Sequence, residues 1–381
     1  MTDPLEHILR LASDIGPRPS GGEGERKAAE YIRGRLEESG FSVKVEDFRV
    51  APSPSLYMVP IFLLTLAGVV VAIVLDRAAL GLLLSGFALV AFLGEVTLAL
   101  RLVAPAVSVR RSRNVVARLA PKELPRRRLV LAAHYDSPKP DLGWTPGLLR
   151  FRRPAFLLLV VSMVLLPFMI AVSAAAAIPV VAYAAVPFAV VIGAALLLML
   201  VRDFAYHHVP GANVNASGVA VMLTLCEALA VDQPVDTEVV ALATGSLDVG
   251  AAGMQAFLKR HGDELERAWV LSLDGVGAGD VFFTTAEGLL LKHRTSEELR
   301  EVAEKVAARP DVQVSGRAHR LATSDAEPIL LRRLEAITVM AGKDGVPVNS
   351  HQPADTIDAI DPDTIDTAYR FVEAMVRRLI A

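Results

Sequence analysis

The chain has one cysteine, Cys226, in 381 residues. That scarcity excludes an internal disulfide, a thiolate zinc finger and an iron–sulfur cluster held by cysteine alone, so any metal must be held by His and carboxylate. Charge is also scarce: 21% of residues are charged against 53% hydrophobic, and the formal net charge is −3. Such a chain is too apolar for one soluble globule of ordinary composition. It also lacks the basic surplus that grips nucleic acid, so no partner of that kind is expected. The opening residues, MTDPLEHILRLASDIGPRPS, do not run from a basic start into an apolar stretch, and no cleaved signal peptide is expected.

The apolar residues are concentrated in two blocks, 55–100 and 154–201, and the second contains no charged residue. The first divides at Asp76 and Arg77 into stretches 56–75 and 78–100, and the second divides near 174–177 into 155–177 and 178–201. Each stretch is long enough to cross roughly 30 Å of hydrocarbon, so four transmembrane helices in two hairpins are expected. Hairpins return the chain to the side it left. Residues 1–54, 101–153 and 202–381 then form one discontinuous domain on one face of the membrane. Arg101, Arg110, Arg111, Arg150, Arg152, Arg153 and Arg202 flank the spans on that face, whereas the tips offer only Arg77. The positive-inside rule places the domain in the cytoplasm and the chain in the plasma membrane as a multi-pass protein, with lipid as a partner. Glu95 is the one ionisable group well inside a span; near a helix end, it is expected to snorkel toward the headgroups.

With the hairpins set aside, helical and strand patterns alternate. Helices are expected over 4–13, 23–39, 216–230, 251–260, 296–308 and 362–380, and strands over 41–45, 115–119, 129–133, 238–243, 269–273, 281–284 and 336–340. The short apolar run 129–133 has the mark of a strand buried on both faces. This order predicts an α/β fold with a mixed, mostly parallel sheet between helices, and its sites should gather at the carboxyl ends of strands. His134, Asp136, Asp248 and Asp274 all fall at or just past such ends, and His351 lies in a late loop. Two histidines with several carboxylates suit Zn²⁺ or a similar divalent ion. LDGVGAG lacks the full dinucleotide fingerprint and the phosphate-loop lysine, and Ser217 in NASG is not in a nucleophile elbow.

Eight stretches, in order, carry a resemblance: DIGPRPSGGEGERKAAEYIRGRLEESGF, RNVVARL, LAAHYDS, GANVNASGVAVML, TGSLDVGAAGMQAFL, LSLDGVG, SDAEP and SHQPADT. Together they resemble the dizinc aminopeptidases of metallopeptidase clan H, family 28. The resemblance implies the zinc-exopeptidase α/β/α sandwich. It also implies that His134, Asp274 and His351 match metal ligands, that Asp136 matches the carboxylate orienting the first histidine, and that Asp248 stands where the family has a ligating Glu.

Two positions depart from the family pattern. Val214 occupies the place of the Asp that bridges both metals, and Leu247 the place of the Glu that activates water. Two dications about 3.5 to 4 Å apart need a shared anion to offset their repulsion, and an isopropyl group supplies neither charge nor lone pair. Losing the general base costs about 10² to 10⁴ in rate. The remaining residues should divide into two half-sites, His134 with Asp274 and Asp248 with His351. The cofactor expectation is therefore either none or a single zinc, gathered by the two His and two Asp if the Asp248 loop moves inward. An amide oxygen of Asn213 or Asn215, or a ring of His207 or His208, would be the replacement ligands to test.

The second block is inserted between His134 and the GANVNASG loop, so the old pocket mouth is expected to face the bilayer surface. The leading expectation is a membrane-embedded, degenerate peptidase-like protein acting by binding or scaffolding, with a peptide or membrane-protein partner. The alternative is an active zinc aminopeptidase or amidohydrolase with a rebuilt one-metal site. Transport is disfavoured, because the spans carry almost no polar lining beyond Glu95.

Overall fold

A computed structural model describes residues 2–176, 183–310 and 312–381. The chain divides into two compact units, one comprising Met1–Val50, Arg110–Pro140 and His208–Ala381, the other Ala51–Val109 and Asp141–His207.

The first unit is built on a nine-stranded mixed sheet. Its strands are β1 (Ser42–Val50), β2 (Arg110–Leu119), β3 (Arg127–His134), β4 (Thr237–Thr244), β5 (Ala268–Leu273), β6 (Asp280–Glu287), β7 (His293–Arg294), β8 (Ser315–Ala318) and β9 (Ala336–Gly342). The order is β1-β2-β4-β3-β5-β9-β6-β7, with β8 paired to β6. Only the centre, β4-β3-β5-β9, is a continuous parallel block. β1, β2, β6 and β7 add on antiparallel, so the expectation of a mostly parallel sheet holds for the centre alone.

The pattern of β3 explains the layering. Leu129, Leu131 and Ala133 point into one core, Val130 and Ala132 into the other, and all five are fully buried. The first core is covered by helices Pro4–Leu9, Glu23–Glu38, Ser217–Val231, Glu297–Ala307 and Pro362–Leu379, and the second by Ala252–His261 and Glu327–Leu331. An α/β/α sandwich results, as alternating elements around a sheet buried on both faces require. At Gly218 the helix Ser217–Val231 approaches the sheet so closely that a Cβ would lie 2.3 Å from the Leu273 carbonyl oxygen. That contact sets the helix start beside the end of β5.

The first helix stops at Leu9 and continues as a wider turn over Arg10–Ile15. His7, on this helix, is fully buried, with Nδ1 2.6 Å from the Tyr31 hydroxyl and Nε2 3.9 Å from Glu227 Oε1. Burial, helped by Arg35, lowers its pKa to about 4 against the opposing pull of Glu227 and Asp3. The unfolded chain therefore takes a proton here as pH falls through about 6.5, while the folded chain refuses it until about 4. Stability from this residue is complete above the unfolded pKa and falls across that window by up to about 3 kcal/mol. Denaturation of the full chain in detergent at pH 7.5 and 4.5 should show that loss, and His7→Gln should flatten it. Equal pH slopes for both proteins would refute the assignment.

Within the second unit, apolar helices run over Ser55–Ile73, Ala78–Val96, Leu149–Ala176 and Val186–Ala205. The break expected near 174–177 is not seen at 174–176, where the helix continues; residue 177 and the start of the 178–201 stretch lie outside the described residues. Five helices among the described residues are long and apolar enough to cross a membrane. The fifth, Ala212–Val231, is 78% buried within the first unit, whereas the other four are 6 to 39% buried. The unit also takes in the flanks of the two apolar blocks, for two visible reasons. Ser53 Oγ donates to Asp203 at 2.8 Å, joining the start of one block to the end of the other. Glu95, meanwhile, binds the segment that follows it.

Glu95, expected to reach outward, is instead turned onto its own chain. Its side chain is 1% exposed, Oε2 accepts from Arg101 Nε at 3.1 Å, and Oε1 accepts from the backbone N–H groups of Val103 and Ala104 at 3.0 and 2.9 Å. A carboxylate with three donors within a few residues gains more from folding back on its own chain than from reaching outward. Gly68 and Gly81 bring the first two apolar helices together, a Cβ on Gly81 falling 2.5 Å from the Gly68 carbonyl oxygen.

Candidate functional site

The carboxyl ends of the central strands lie side by side, and the register sets their side chains in a row. His134 ends β3 opposite Thr244 at the end of β4, and Asp274 follows β5, which pairs with β3 on its other side. His134 Nδ1 is 3.2 Å from Asp136 Oδ1, and its Nε2 is 3.6 Å from Asp274 Oδ1. The ring is buried, and its Nε2 makes no hydrogen bond among the described residues. Burial alone would lower its pKa, but Asp136 and Asp274 outweigh burial and raise it well above the usual imidazole value. Asp136 is buried too, which pushes its carboxyl up; His134 and the Leu247 and Asp248 amides reverse this and leave it below the usual range.

Asp136 also organises the next loop. Its Oδ1 accepts from Leu247 N–H at 2.8 Å and its Oδ2 from Asp248 N–H at 3.2 Å. That loop is tightly wound, with Ser246 and Ala251 at φ of 61° and 49°, a region where L residues are uncommon. Asp248 Oδ1 lies 3.8 Å from His351 Nε2. Thus His134 meets Asp274, and Asp248 meets His351. Val214 and Leu247 are 6% and 7% exposed, hydrocarbon side chains buried in these loops.

Of the replacement ligands, both asparagine amides are already hydrogen-bonded. Asn213 Oδ1 accepts from Gly277 N–H at 2.7 Å while its Nδ2 donates to the Val348 carbonyl at 2.8 Å. Asn215 Oδ1 accepts from Arg18, and its Nδ2 donates to the Asp136 carbonyl at 2.6 Å. Both amides hold the loop in place. His208 Nδ1 lies 2.7 Å from the Ser137 carbonyl oxygen, and His207 is exposed in the second unit.

Three further residues shape the site, and the sequence marked none of them beyond placing Arg18, Asp325 and Asp355 in the matching stretches. Arg18 is fully buried and donates to the carbonyls of Tyr135, Gly16 and Gly211 at 2.7, 2.6 and 3.1 Å, and to Asn215. Burial lowers its pKa to about 10, against Asp355 and Asp136. Asp355, fully buried, accepts from the amide of Asn213 at 2.6 Å and from that of Val214 at 3.4 Å; burial raises its pKa to about 7. Asp325 accepts from Thr244 Oγ1 at 2.6 Å, and its other oxygen is buried without a hydrogen bond among the described residues.

A zinc ion bound by protein alone takes three or four ligands, and a bimetallic centre needs a bridging anion as well. Among the described residues no group of three or more His, Cys, Asp or Glu side chains is arranged to hold a metal. The orphaned Nε2 of His134 has the chemistry of a ligand, but only Asp274 stands with it, and Asp248 and His351 form a separate pair. The residues present do not fit a dizinc centre, nor are two His and two Asp gathered around one ion.

The sandwich and the placement of these side chains at the ends of parallel strands define a zinc-exopeptidase-like protein. Residues 198–376 match peptidase family M28, and that stretch fits the family. The match begins at 198, whereas the resemblance read from the sequence starts with the first stretches of the chain. Among solved structures, the chain is similar to a zinc aminopeptidase from Bacillus subtilis, at 16% identity and a TM-score of 0.61, covering 99% of this chain and 95% of that one. It is similar to an aminopeptidase from Aneurinibacillus sp. strain AM-1, at 18% identity and a TM-score of 0.59, covering 99% and 93%. It is also similar to a glutaminyl cyclase from Bacteroides thetaiotaomicron, at 16% identity and a TM-score of 0.58, covering 98% and 96%. At these identities the likeness is one of fold. No curated protein matches the chain.

Proposed function

We propose that this chain is a membrane-embedded M28-like protein that has lost hydrolysis and acts by binding or scaffolding, with a peptide or a membrane protein as partner. One observation carries the reading: in the loops that close the site, hydrocarbon side chains stand at 214 and 247, and the potential ligands remain as two separate pairs. Valine cannot bridge cations and leucine cannot accept a proton from water. The four helices of the second unit, apolar and with most of their surface outside its core, support two membrane hairpins. The arginines flanking them favour a multi-pass plasma-membrane protein with its sheet domain in the cytoplasm. The purified protein should hold well under one zinc per chain and release no N-terminal residue from peptide substrates. Stoichiometric zinc with turnover abolished by a chelator would instead establish the rebuilt one-metal enzyme.

A further inference from the structure

The helix Leu149–Ala176 opens with three arginines in four residues, and they have different fates. Arg152 is satisfied: its Nη1 donates to Asp141 Oδ2 at 3.0 Å and its guanidinium lies 4.5 Å over the Trp144 ring. Arg150 has its guanidinium 4.6 Å over the Phe151 ring, and Arg153 has a buried Nε with no acceptor among the described residues. Neither forms an ion pair among the described residues. Three residues apart on one helix, Arg150 and Arg153 lie on the same face. Near them in the chain, Leu142, Leu148 and Phe151 are 46, 47 and 50% exposed, and Leu142–Trp144 packs on the same helix. Two cations without ion pairs, close in the chain to exposed apolar side chains at the foot of an apolar helix, suit an occupant with both oxygens carrying negative charge and a hydrocarbon part.

We propose that Arg150 and Arg153 form a docking site for the phosphate headgroup of an anionic phospholipid, with Leu142, Leu148 and Phe151 against its glycerol and upper acyl carbons. Guanidinium groups suit this task, since their planar donor array matches phosphate oxygens. The site rests on the membrane reading above. An acidic protein segment satisfies the charge but leaves the exposed apolar side chains and the apolar helix above them without a counterpart, which is why lipid is the occupant.

The test uses the full chain reconstituted in bilayers of neutral phosphatidylcholine alone or with phosphatidylglycerol, followed by lipid analysis of the purified particles. Phosphatidylglycerol should be enriched over phosphatidylcholine in the annulus, by roughly fivefold for each arginine engaged. R150Q/R153Q should abolish the enrichment, and R150K/R153K should keep much of it, which separates loss of charge from loss of fold. Equal retention of both lipids by the unmodified chain overturns the proposal while leaving the membrane reading intact. Failure to incorporate into either bilayer overturns both. If inorganic phosphate alone stabilises the detergent-solubilised chain as much as phosphatidylglycerol does, and R150Q/R153Q removes that effect, the site is one for free phosphate and the lipid assignment falls.

Discussion

Val214→Asp combined with Leu247→Glu should give a chain that binds zinc stoichiometrically and releases N-terminal residues from a chromogenic leucine amide, both well above the unmodified chain. The scaffold for both changes is in place. Asp136 already fixes the backbone at position 247 through the Leu247 amide, and Asp355 fixes that at 214 through the Val214 amide. Aspartate is close to valine in size, so the first change adds charge with little change of volume. The carboxylate at 214 would stand where the resemblance places a bridge between the half-sites of His134 with Asp274 and Asp248 with His351. Position 247 then supplies the base, worth about 10² to 10⁴ in rate. The two effects are not additive. Val214→Asp alone should gain metal with weak turnover, and Leu247→Glu alone should gain neither, because a base without a metal has no activated water to deprotonate. Without zinc the double variant buries two uncompensated carboxylates and should melt below the unmodified chain, with added zinc restoring it. Metal analysis and a thermal scan with and without zinc read both halves. Retention of an empty site in the double variant would show that more than these two positions has been lost, with Asp248→Glu the next change to add.

Arg18→Met should be the most destabilising single substitution in the sheet domain, at about 3 to 5 kcal/mol. Removing the guanidinium strands several buried acceptors at once: the carbonyls of Tyr135, Gly16 and Gly211 and the amide oxygen of Asn215. It also deletes the buried positive charge beside Asp355 and Asp136. Lysine should not rescue, because one ammonium cannot span donors that reach both the N-terminal turn and the loop at 211–215. Denaturation midpoints measure the loss. Hydrogen exchange should rise first at 211–216, and a uniform rise over the whole domain would mean that Arg18 supports the fold generally instead of this loop.

How much of this was legible depends on the kind of interaction. β3, β4 and β5 could be read from short apolar runs, because a strand buried on both faces leaves that mark in any context. Their ends place His134 and Asp274 side by side. β2 begins earlier than its apolar residues, since RRSR extends the pairing with β1 through polar residues that carry no hydrophobic alternation. β7 and β8, two and four residues long, are paired at the sheet's edge and have no pattern to read. The fates of Asn213, Asn215, Arg18 and Glu95 were hidden for another reason. Each is settled by which donor or acceptor lies within about 3 Å in the folded chain, and a sequence states which groups are present without stating who their neighbours are.

The strand order also has a temporal side. β3 ends at His134, yet both strands that flank it, β4 and β5, are synthesised only after the apolar residues 154–201 have emerged. β2 likewise waits for β4 as its second neighbour. A ribosome paused anywhere before Thr244 thus carries a half-made domain whose middle strand has two bare edges, the kind of surface that chaperones shield and that drives misassembly. On the membrane reading proposed above, the apolar segments are available for insertion before the sheet can close, and assembly of the domain is then coupled to how quickly they leave the aqueous phase.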